Sequence, residues 1–319
     1  MRSSLLNLML CPNCKSTDMN LQIKHEDRQE IRIGTLICES CSSQFAIQDG
    51  VVELLPKLDK ETLREREVRD LKERVWKVER QRPYINDNES NSWTWPNIAA
   101  NVEQGLNQVI LSGAMVLDIG AATCWSTRMM VERGAMAVAL DISTGMLIDG
   151  ESQFYSDVYF DRVAGSMTSL PFIEGSFNLT FASATIHHSG NLDLVFEEIE
   201  RVLKPGGRSV MVNEPVLGLS GRRSQFGRDD IEQGMNEHIY RLAEYQRAAE
   251  KAGLVTWYLV PAGLEAQLRG EIPSPDTPIM NFIPNIWKWV PYPIQKVSLK
   301  VGDLLFGMPM TMIAEKKCV

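Results

Sequence analysis

Apolar runs and amphipathic stretches alternate along the last two thirds of the chain. The apolar runs predict strands, and the stretches with three- and four-residue spacing predict helices. We expect strands at 115–119, 136–140, 159–164, 177–183, 208–214, 255–260 and 309–315, with helices at 125–133, 144–150, 192–203 and 239–252. This alternation is typical of a parallel sheet with crossover helices, so the pattern favours an α/β fold.

The first of these strands runs into small residues, in the stretch from Val116 to Cys124. The next apolar strand ends at Asp141, which lies 21 residues after Gly120. Small residues let the backbone approach a ligand, and a carboxylate at the end of the second strand can accept hydrogen bonds from ribose hydroxyls. The pattern therefore predicts a nucleoside-binding crevice. On its own it does not separate a dinucleotide site from an S-adenosylmethionine site.

Three downstream segments narrow the choice, namely Ser169–Phe172, Gly175–Ser183 and the RVLKPGG stretch Arg201–Gly207. With these segments in this order, residues 90 to 260 resemble class I S-adenosylmethionine-dependent methyltransferases of the methyltransferase type 11 kind. The resemblance implies a Rossmann-like sheet of seven strands and S-adenosylmethionine as the cofactor. The cofactor contacts that it implies are Asp118, Gly120, Ala122, Asp141, Ile142, Ser166, Met167 and Ala182.

Within that implied site, Asp118 and Gly120 would face the methionine portion, Asp141 the ribose and Ile142 the adenine. The chain departs from the family pattern at two places. Ser166 and Met167 stand where the family often has an aspartate, and alanine or cysteine replaces the later glycines of the motif, as at Ala122 and Cys124. We expect Cys124 to be a packing residue, because a lone buried cysteine is usually a small hydrophobe.

Candidate general bases stand after the fourth and fifth predicted strands. They are His187, His188 and Glu214. Methyl transfer to a hydroxyl or carbon acid needs a proton acceptor besides positioning, and histidine titrates near neutrality. The alternative for the histidines is a structural hydrogen bond to a neighbouring loop.

The alternative for Glu214 is a salt bridge to an arginine of the following loop, namely Arg222, Arg223 or Arg228. His238 and Tyr240 are further candidates to reach the pocket. We do not expect the histidines to bind metal, because no histidine–carboxylate pair around them has ligand spacing.

Four of the six cysteines form two Cys-x-x-Cys knuckles, Cys11/Cys14 and Cys38/Cys41, separated by 23 residues. Two such knuckles supply four thiolates to one tetrahedral ion, so they predict a closed structural zinc site. Two disulfides or redox-active pairs are the alternative. Residues 8 to 56 also resemble the Trm112-like zinc ribbon, which implies a packing partner or substrate platform within the chain. The Asp49-Gly50 turn predicts a closing hairpin there.

Three parts are therefore predicted: a zinc ribbon at 1–56, a charged helical connector and pocket-covering segment at 57–97, and a methyltransferase domain at 98–319. Charges of both signs in the connector indicate a surface helix with one docking stripe. That stripe consists of Val68, Leu71, Val75 and Val78. After it, Tyr84, Trp93 and Trp95 either line the pocket or anchor the connector. A lid-like insertion at about 261–308 is predicted to be a lid or core packing, a homodimer surface, or an apolar face toward a lipid-linked substrate.

Charge and hydropathy limit the function. The net charge is −8 and the sequence pI about 5.2, which gives no overall field attracting nucleic acid. No targeting segment and no apolar run long enough to span a bilayer stands out, so we predict a cytoplasmic protein. The leading hypothesis is methyl transfer to a small molecule such as a saccharide, polyketide or other biosynthetic metabolite. The alternatives are a ribosomal-RNA guanine methyltransferase with the ribbon as RNA platform, and a non-catalytic cofactor-binding partner protein.

Overall fold

A computed structural model describes residues 1–75, 94–155, 157–221, 236–274, 276 and 278–318. The described strands form one continuous sheet in the order β1-β2-β3-β4-β7-β6-β5-β8-β9-β11-β10. In the described residues no helix is both long and apolar enough to cross a bilayer.

Seven strands of this sheet make up the α/β part. They are β5 Met115–Ile119, β6 Met136–Asp141, β7 Asp161–Ala164, β8 Phe177–Ser183, β9 Leu203–Glu214, β10 Leu254–Leu259 and β11 Met310–Lys316. Strands β5 to β9 run parallel to their neighbours, whereas β11 is antiparallel to both β9 and β10. Every predicted strand is present. The α/β sheet of seven strands is therefore confirmed.

Helices cover the sheet, as crossover connections between parallel strands require. They are α1 Lys60–Val75, α2 Thr94–Leu106, α3 Trp125–Glu132, α4 Thr144–Asp149, α5 Leu192–Val202, α6 Leu242–Lys251, α7 Ala262–Arg269, α8 Pro278–Trp287 and α9 Tyr292–Phe306. In α5 the residues Leu192, Val195, Phe196, Ile199 and Val202 are buried, so the three- and four-residue spacing does define the inward face. The insertion between β10 and β11 consists of α7, α8 and α9.

The cysteine-containing segment forms four antiparallel strands, β1 Met19–Glu26, β2 Ile31–Cys38, β3 Gln44–Gln48 and β4 Val51–Glu53. Asp49 and Gly50 make the β3–β4 turn with positive φ angles of 47° and 79°, as expected for a tight hairpin. Strand β4 then pairs in parallel with β7, with Val52 opposite Val163. The ribbon is therefore the outer part of the same sheet.

A buried ion pair reinforces this junction. The Arg162 guanidinium on β7 donates to Glu30 Oε1 at 2.6 Å, and both side chains are almost completely buried. The same guanidinium donates to the carbonyl oxygens of Leu147, Ile148 and Asp49. One side chain thus links the ribbon to α4 and to the sheet. Its positive charge is compensated by the Glu30 carboxylate in a region from which water is excluded.

Candidate functional site

A cavity of about 280 Å³ lies at the carboxyl ends of β5, β6, β7 and β8. Ligands of open α/β sheets bind at this edge, because the crossover connections leave a crevice there. The cavity is lined by Asp59, Glu61, Thr62, Glu65, Arg69, Ile119, Gly120, Leu140, Asp141, Ile142, Gly165, Ser166, Met167, Thr168, Thr185, His188, Ser189, Gly190, Asn191, Leu194 and Asn236.

Gly120 and Asp141, two of the predicted cofactor contacts, line the cavity. Gly120 has a φ of 70°, and a Cβ atom built on it would lie 2.0 Å from Thr185 Oγ1. The Asp141 carboxylate accepts the backbone N–H groups of Ala122 and Ser143, each at 2.9 Å. These two hydrogen bonds fix the carboxylate at the cavity wall, where it has further lone pairs for a ligand.

The other predicted cofactor contacts fall into two groups. Ile142, Ser166 and Met167 line the cavity, and Ser166 Oγ lies 2.9 Å from Thr168 Oγ1. Asp118, Ala122 and Ala182 are not among the lining residues. Ala122 contributes to the site indirectly, because its backbone N–H group donates a hydrogen bond to the Asp141 carboxylate.

Asp118 is held inside the protein. Its Oδ2 accepts hydrogen bonds from Ser126 Oγ and Thr127 Oγ1, both at 2.6 Å, in the first turn of α3. Burial raises the pKa of this carboxyl group to about 7, although the two hydroxyl groups act in the opposite direction. In this arrangement Asp118 ties β5 to the start of α3, and the predicted contact with the methionine portion of the cofactor stays a prediction.

The turn between β5 and α3 has the backbone shape of a glycine-rich loop, although alanine and cysteine replace its later glycines. Ala122 and Cys124 have φ angles of 47° and 63°, which are left-handed conformations that favour glycine. Cys124 is fully buried, and its Sγ atom lies only 2.5 Å from the position that a Cβ atom on Gly150 would take. This position agrees with the expected packing role for Cys124.

Helix α1 closes the cavity from the connector side. Glu65 and Arg69 turn inward from this helix, and their side chains form an ion pair of 2.6 Å. Burial would lower the pKa of Arg69, but the carboxylates of Asp141 and Glu65 outweigh it and raise the pKa. On the same helix, Asp70 accepts a hydrogen bond of 2.5 Å from Ser143 Oγ, next to Asp141.

Sequence reasoning missed these connector residues, because it assigned the charges of the helix to solvent and its docking face to an apolar stripe. Val68 of that stripe is half-buried. The side chains of Leu71 and Val75, and all of Val78, lie outside the described residues. The sequence did contain one indication of this contact. Glu65 and Arg69 are four residues apart, which places opposite charges next to each other on one face of a helix.

The three candidate bases have different surroundings. Glu214 is buried and accepts backbone N–H groups from Thr185, Ile186 and His187 at 2.9 to 3.2 Å, as well as His187 Nδ1 at 2.8 Å. His187 is buried next to Glu214 and does not line the cavity, whereas His188 does. The structure thus gives Glu214 and His187 the positions of supporting residues. His188 alone of the three can meet a ligand in the cavity.

His188 is held by the segment that follows the undescribed residues 222–235. Its Nδ1 donates to the Asn236 carbonyl oxygen at 2.6 Å, which places a proton on Nδ1. Asn236 in turn donates from its backbone N–H to Glu65 Oε2 at 2.8 Å. The histidine is therefore oriented by a chain of contacts that ends on α1.

Glu237 brings a further carboxylate to the two histidines. His187 Nε2 lies 3.3 Å from Glu237 Oε2, and His188 Nδ1 lies 3.7 Å from Glu237 Oε1. Burial alone would lower the pKa of His187, but hydrogen bonds to Glu214 and Glu237 raise it to about 9. These three residues offer ligand atoms within 4.8 Å of one another, a convergence that local spacing did not indicate because Glu237 is distant in sequence.

The remaining candidates lie away from the cavity. His238 Nε2 pairs with Glu61 Oε1 at 2.5 Å, and the Tyr240 hydroxyl donates to the Ser189 carbonyl oxygen at 2.7 Å. Neither residue lines the cavity, but both pack against elements that do. Tyr84, Trp93 and the proposed arginine partners of Glu214 lie outside the described residues, and half-buried Trp95 belongs to α2.

The four cysteines of the two knuckles converge at the end of the ribbon, with their sulfur atoms within 4.8 Å of one another. The sulfur atoms of Cys11 and Cys41 are 3.6 Å apart, and those of Cys14 and Cys38 are 3.5 Å apart. Both close pairs join one knuckle to the other, as in a four-sulfur tetrahedron, where edges of about 3.7 Å follow from Zn–S bonds of about 2.3 Å. No disulfide joins these cysteines, so the alternative of two disulfides is not what the structure shows.

Comparison with known proteins finds a similar domain and similar folds. Residues 117–211 match the family described as a methyltransferase domain. The demethylmenaquinone methyltransferase of Mycolicibacterium gilvum is 38% identical over 106 residues, which cover 33% of this chain and 44% of the relative. The chain spans less than half the length of the curated relatives it matches first.

Two solved structures share the fold at low identity. The geranyl diphosphate C-methyltransferase of Streptomyces coelicolor A3(2) has a TM-score of 0.54 and 16% identity, covering 83% of this chain and 100% of that one. A chain from a complex that contains the Haloferax volcanii Trm112 methyltransferase activator has a TM-score of 0.50 and 15% identity, covering 82% and 100%. The overall fold thus has counterparts among solved structures.

Proposed function

We propose that this chain, which contains a class I methyltransferase domain behind a four-cysteine ribbon, transfers a methyl group from S-adenosylmethionine to a small-molecule acceptor. The predicted family and fold are confirmed, and the acceptor is the proposed part. The observation that carries the proposal is a cavity lined by Gly120 and Asp141 together with the carboxylates of Asp59, Glu61 and Glu65.

The residues present fit the cofactor. Gly120 lines the cavity without a side chain, Asp141 offers a fixed carboxylate for ribose hydroxyls, and Ile142, Met167 and Leu140 give apolar walls for a purine. When bound, S-adenosylmethionine supplies an electrophilic methyl group on a sulfonium. The residues of the chain then have to hold the acceptor in line and exclude water.

His188 is the residue we assign as proton acceptor for an acceptor hydroxyl or acidic carbon. It lines the cavity, and its hydrogen bond from Nδ1 to the Asn236 carbonyl oxygen fixes the orientation of the ring. Glu214 and His187 act as positioning residues, because the Glu214 carboxylate binds three consecutive backbone N–H groups ahead of His188. This divides the three predicted candidates into one base and two supports.

Calorimetric titration with S-adenosylmethionine tests the cofactor site. We expect Asp141→Asn to weaken binding about 10- to 100-fold, because it removes a charged acceptor from the ribose position. Asp157→Asn is the matched control, since Asp157 is exposed on the segment before β7. Failure of the unaltered protein to bind S-adenosylmethionine would remove both enzyme hypotheses, whereas binding without methyl transfer to any fraction would favour the non-catalytic partner.

Methyl transfer is tested with radiolabelled S-adenosylmethionine and a cell extract separated into metabolites and RNA. The proposal expects label in the low-mass fraction, and label in RNA would contradict it. With the product in hand, His188→Gln should lower the turnover rate about 10²- to 10⁴-fold while the affinity for S-adenosylmethionine stays within about twofold. His25→Gln, on exposed β1, should change neither.

Charge argues for the small molecule over RNA. Asp59, Glu61, Glu65 and Asp141 line the cavity, with Arg69 as the guanidinium among the lining residues. Of the ribbon cations, Arg32 pairs with Glu30 and Glu151, and Lys15 Nζ donates to Ser169. These carboxylates would repel a phosphate backbone, whereas they would not repel a neutral or cationic acceptor.

We also propose that the four cysteines hold one zinc ion with a structural role. The donors are four sulfur atoms, which suit zinc and leave no position for substrate. The ribbon packs on the methyltransferase part through β4 and through the Glu30–Arg162 ion pair. In this proposal the ion stabilises the outer end of the sheet and takes no part in methyl transfer.

A further inference from the structure

The inserted helices α8 and α9 carry the largest group of exposed apolar side chains in the described chain. Those of the two helices and their connecting turn are Phe282, Ile286, Trp289, Tyr292, Ile294, Val297, Val301, Leu304 and Leu305. The exposed fraction is 78% for Trp289, 62% for Phe282 and 61% for Val297. Exposed apolar side chains concentrated in one segment mark a candidate binding face, whereas scattered single residues would need no explanation.

The turn between α8 and α9 is held by few inward contacts. Gln295 Nε2 donates to the carbonyl oxygens of Trp287 and Val290 at 2.8 and 3.0 Å, which closes the turn. Gln295 and Leu299 are the buried residues of α9, whereas Val297, Val301 and Leu304 form an outward stripe. The outer face is therefore apolar by sequence pattern and is not needed for the packing of the helix.

Basic side chains flank this apolar face. Residues 278–306 contain Lys288, Lys296 and Lys300 and a single acidic residue, Asp303, in a chain whose net charge is −8. Lys288 lies 6.0 Å from the Trp289 ring centre and Lys296 lies 4.7 Å from that of Tyr292. Aromatic rings beside lysines at an exposed apolar surface are the composition of helices that lie in a membrane interface.

We propose that α8 and α9 dock on the surface of an anionic lipid bilayer. The charge of the segment complements anionic head groups, and the aromatic and aliphatic side chains fit the boundary below them. A two-fold contact with a second copy is less well matched, because an isologous interface would bring the same lysine-bearing faces together.

Docking would also place the sheet edge that holds the cavity near the bilayer. The backbone N–H groups of Leu219 and Ser220 donate to the carbonyl oxygens of Leu304 and Leu305 at 3.0 and 2.9 Å. Leu219 follows β9 by five residues on the same sheet edge as the cavity, and it is itself exposed. The end of α9 is thus tied to the loop that leaves the site.

Flotation with vesicles tests this proposal directly. We expect the full chain to float with vesicles of phosphatidylcholine containing phosphatidylglycerol, and to do so less as salt is raised. Trp289→Ser/Val297→Ser should weaken binding at least tenfold, because both side chains are exposed and apolar. Lys288→Gln/Lys296→Gln/Lys300→Gln should also weaken it at least tenfold and remove the preference for phosphatidylglycerol.

Ile110→Ser is the matched control, because Ile110 is 86% exposed and lies on the loop before β5. It should float as the unaltered protein does. Absence of flotation at low salt, or equal loss in the control, would overturn the proposal. So would a stable dimer that does not float and that Trp289→Ser/Val297→Ser dissociates. Calorimetry with S-adenosylmethionine on the same variants keeps this outcome separate from failure of the proposed methyl transfer.

Discussion

At the scale of single residues, the turn after β5 combines a glycine-type backbone with side chains that oppose it. Ala122 and Cys124 adopt positive φ angles of 47° and 63°, although neither is glycine. Such conformations cost about 1–2 kcal/mol each for a residue with a Cβ atom. The loop holds them because Asp141 binds the Ala122 N–H group and because Cys124 fills the space beside Gly150.

Ala122→Gly should therefore raise the free energy of unfolding by about 0.5–1 kcal/mol, since the strain removed exceeds the added entropy of the unfolded chain. Urea denaturation measures this change. Ala121→Gly is the matched control, because Ala121 is buried without a positive φ and should lose stability instead. Equal destabilisation by both variants would contradict the assignment of strain.

His187 gives the protein a pH-dependent stability. Its folded pKa is raised to about 9, above the value of about 6.5 in the unfolded chain, through Glu214 and Glu237. The stabilisation is therefore complete below pH 6.5 and is lost as the pH rises through 9, by about 2–3 kcal/mol.

Urea denaturation between pH 6 and pH 9.5 measures this loss. In His187→Gln the decline over that window should be much smaller, because a neutral amide does not titrate. If the variant and the unaltered protein declined in parallel, the ion pair of His187 would not be the cause.

At the scale of elements, the contacts that join the ribbon to the methyltransferase part include the parallel β4–β7 pair and the buried Glu30–Arg162 ion pair. Removal of a single partner leaves an uncompensated buried charge, so Glu30→Ala should lower the free energy of unfolding by about 3–5 kcal/mol. Glu26→Ala is the control, because Glu26 is exposed on β1 and should change stability by less than about 0.5 kcal/mol. Denaturation of both variants in urea decides between a structural ion pair and an incidental one.

The elements were largely predictable from the sequence, whereas the cavity was only partly so. Apolar runs located all seven strands of the α/β part, because strands buried on both faces leave a continuous apolar signal. The part of the cavity at Gly120 and Asp141 followed from the strand ends. The part at α1 did not, because Glu65 and Arg69 are buried charges whose ion pair cannot be distinguished from solvated charges in a linear pattern.

Long-range contacts explain the other differences. His188 depends on Asn236 and Glu65, and His187 depends on Glu214 and Glu237, so neither environment is encoded by neighbouring residues. The pairing of β4 with β7 was also not predictable, because residues 51–53 form a three-residue strand that reads equally well as the end of the ribbon hairpin. Knuckle spacing, in contrast, correctly predicted the convergence of four sulfur atoms.

At the scale of the whole molecule, the proposed zinc site and the cofactor cavity belong to one sheet. We expect removal of the metal by a strong chelator to lower the midpoint of thermal unfolding of the entire chain by several degrees, because β2 and β4 lose their support together. Calorimetry should show one transition before and after removal. Two separate transitions would indicate that the ribbon unfolds independently.

Cys14→Ser provides the genetic counterpart and should lower the midpoint to a similar extent. Cys318→Ser is the matched control, since Cys318 is an exposed free cysteine outside the ribbon. Atomic emission should give about one zinc per chain for the unaltered protein and for Cys318→Ser. A normal zinc content in Cys14→Ser would contradict the four-cysteine assignment.

The parallel pairing of β4 with β7 also bears on aggregation. An open-edged sheet exposes unpaired backbone groups that recruit strands from other molecules, and β7 would present such an edge in the absence of the ribbon. With β4 in place, the edge of the sheet moves outward to β1, which has register shifts around His25 and carries the charged Lys24 and Glu26. Irregular register and charge are both poor templates for strand addition. With the ribbon present, the edge of the sheet on this side is β1 instead of β7, and β1 discourages self-association of the folded chain.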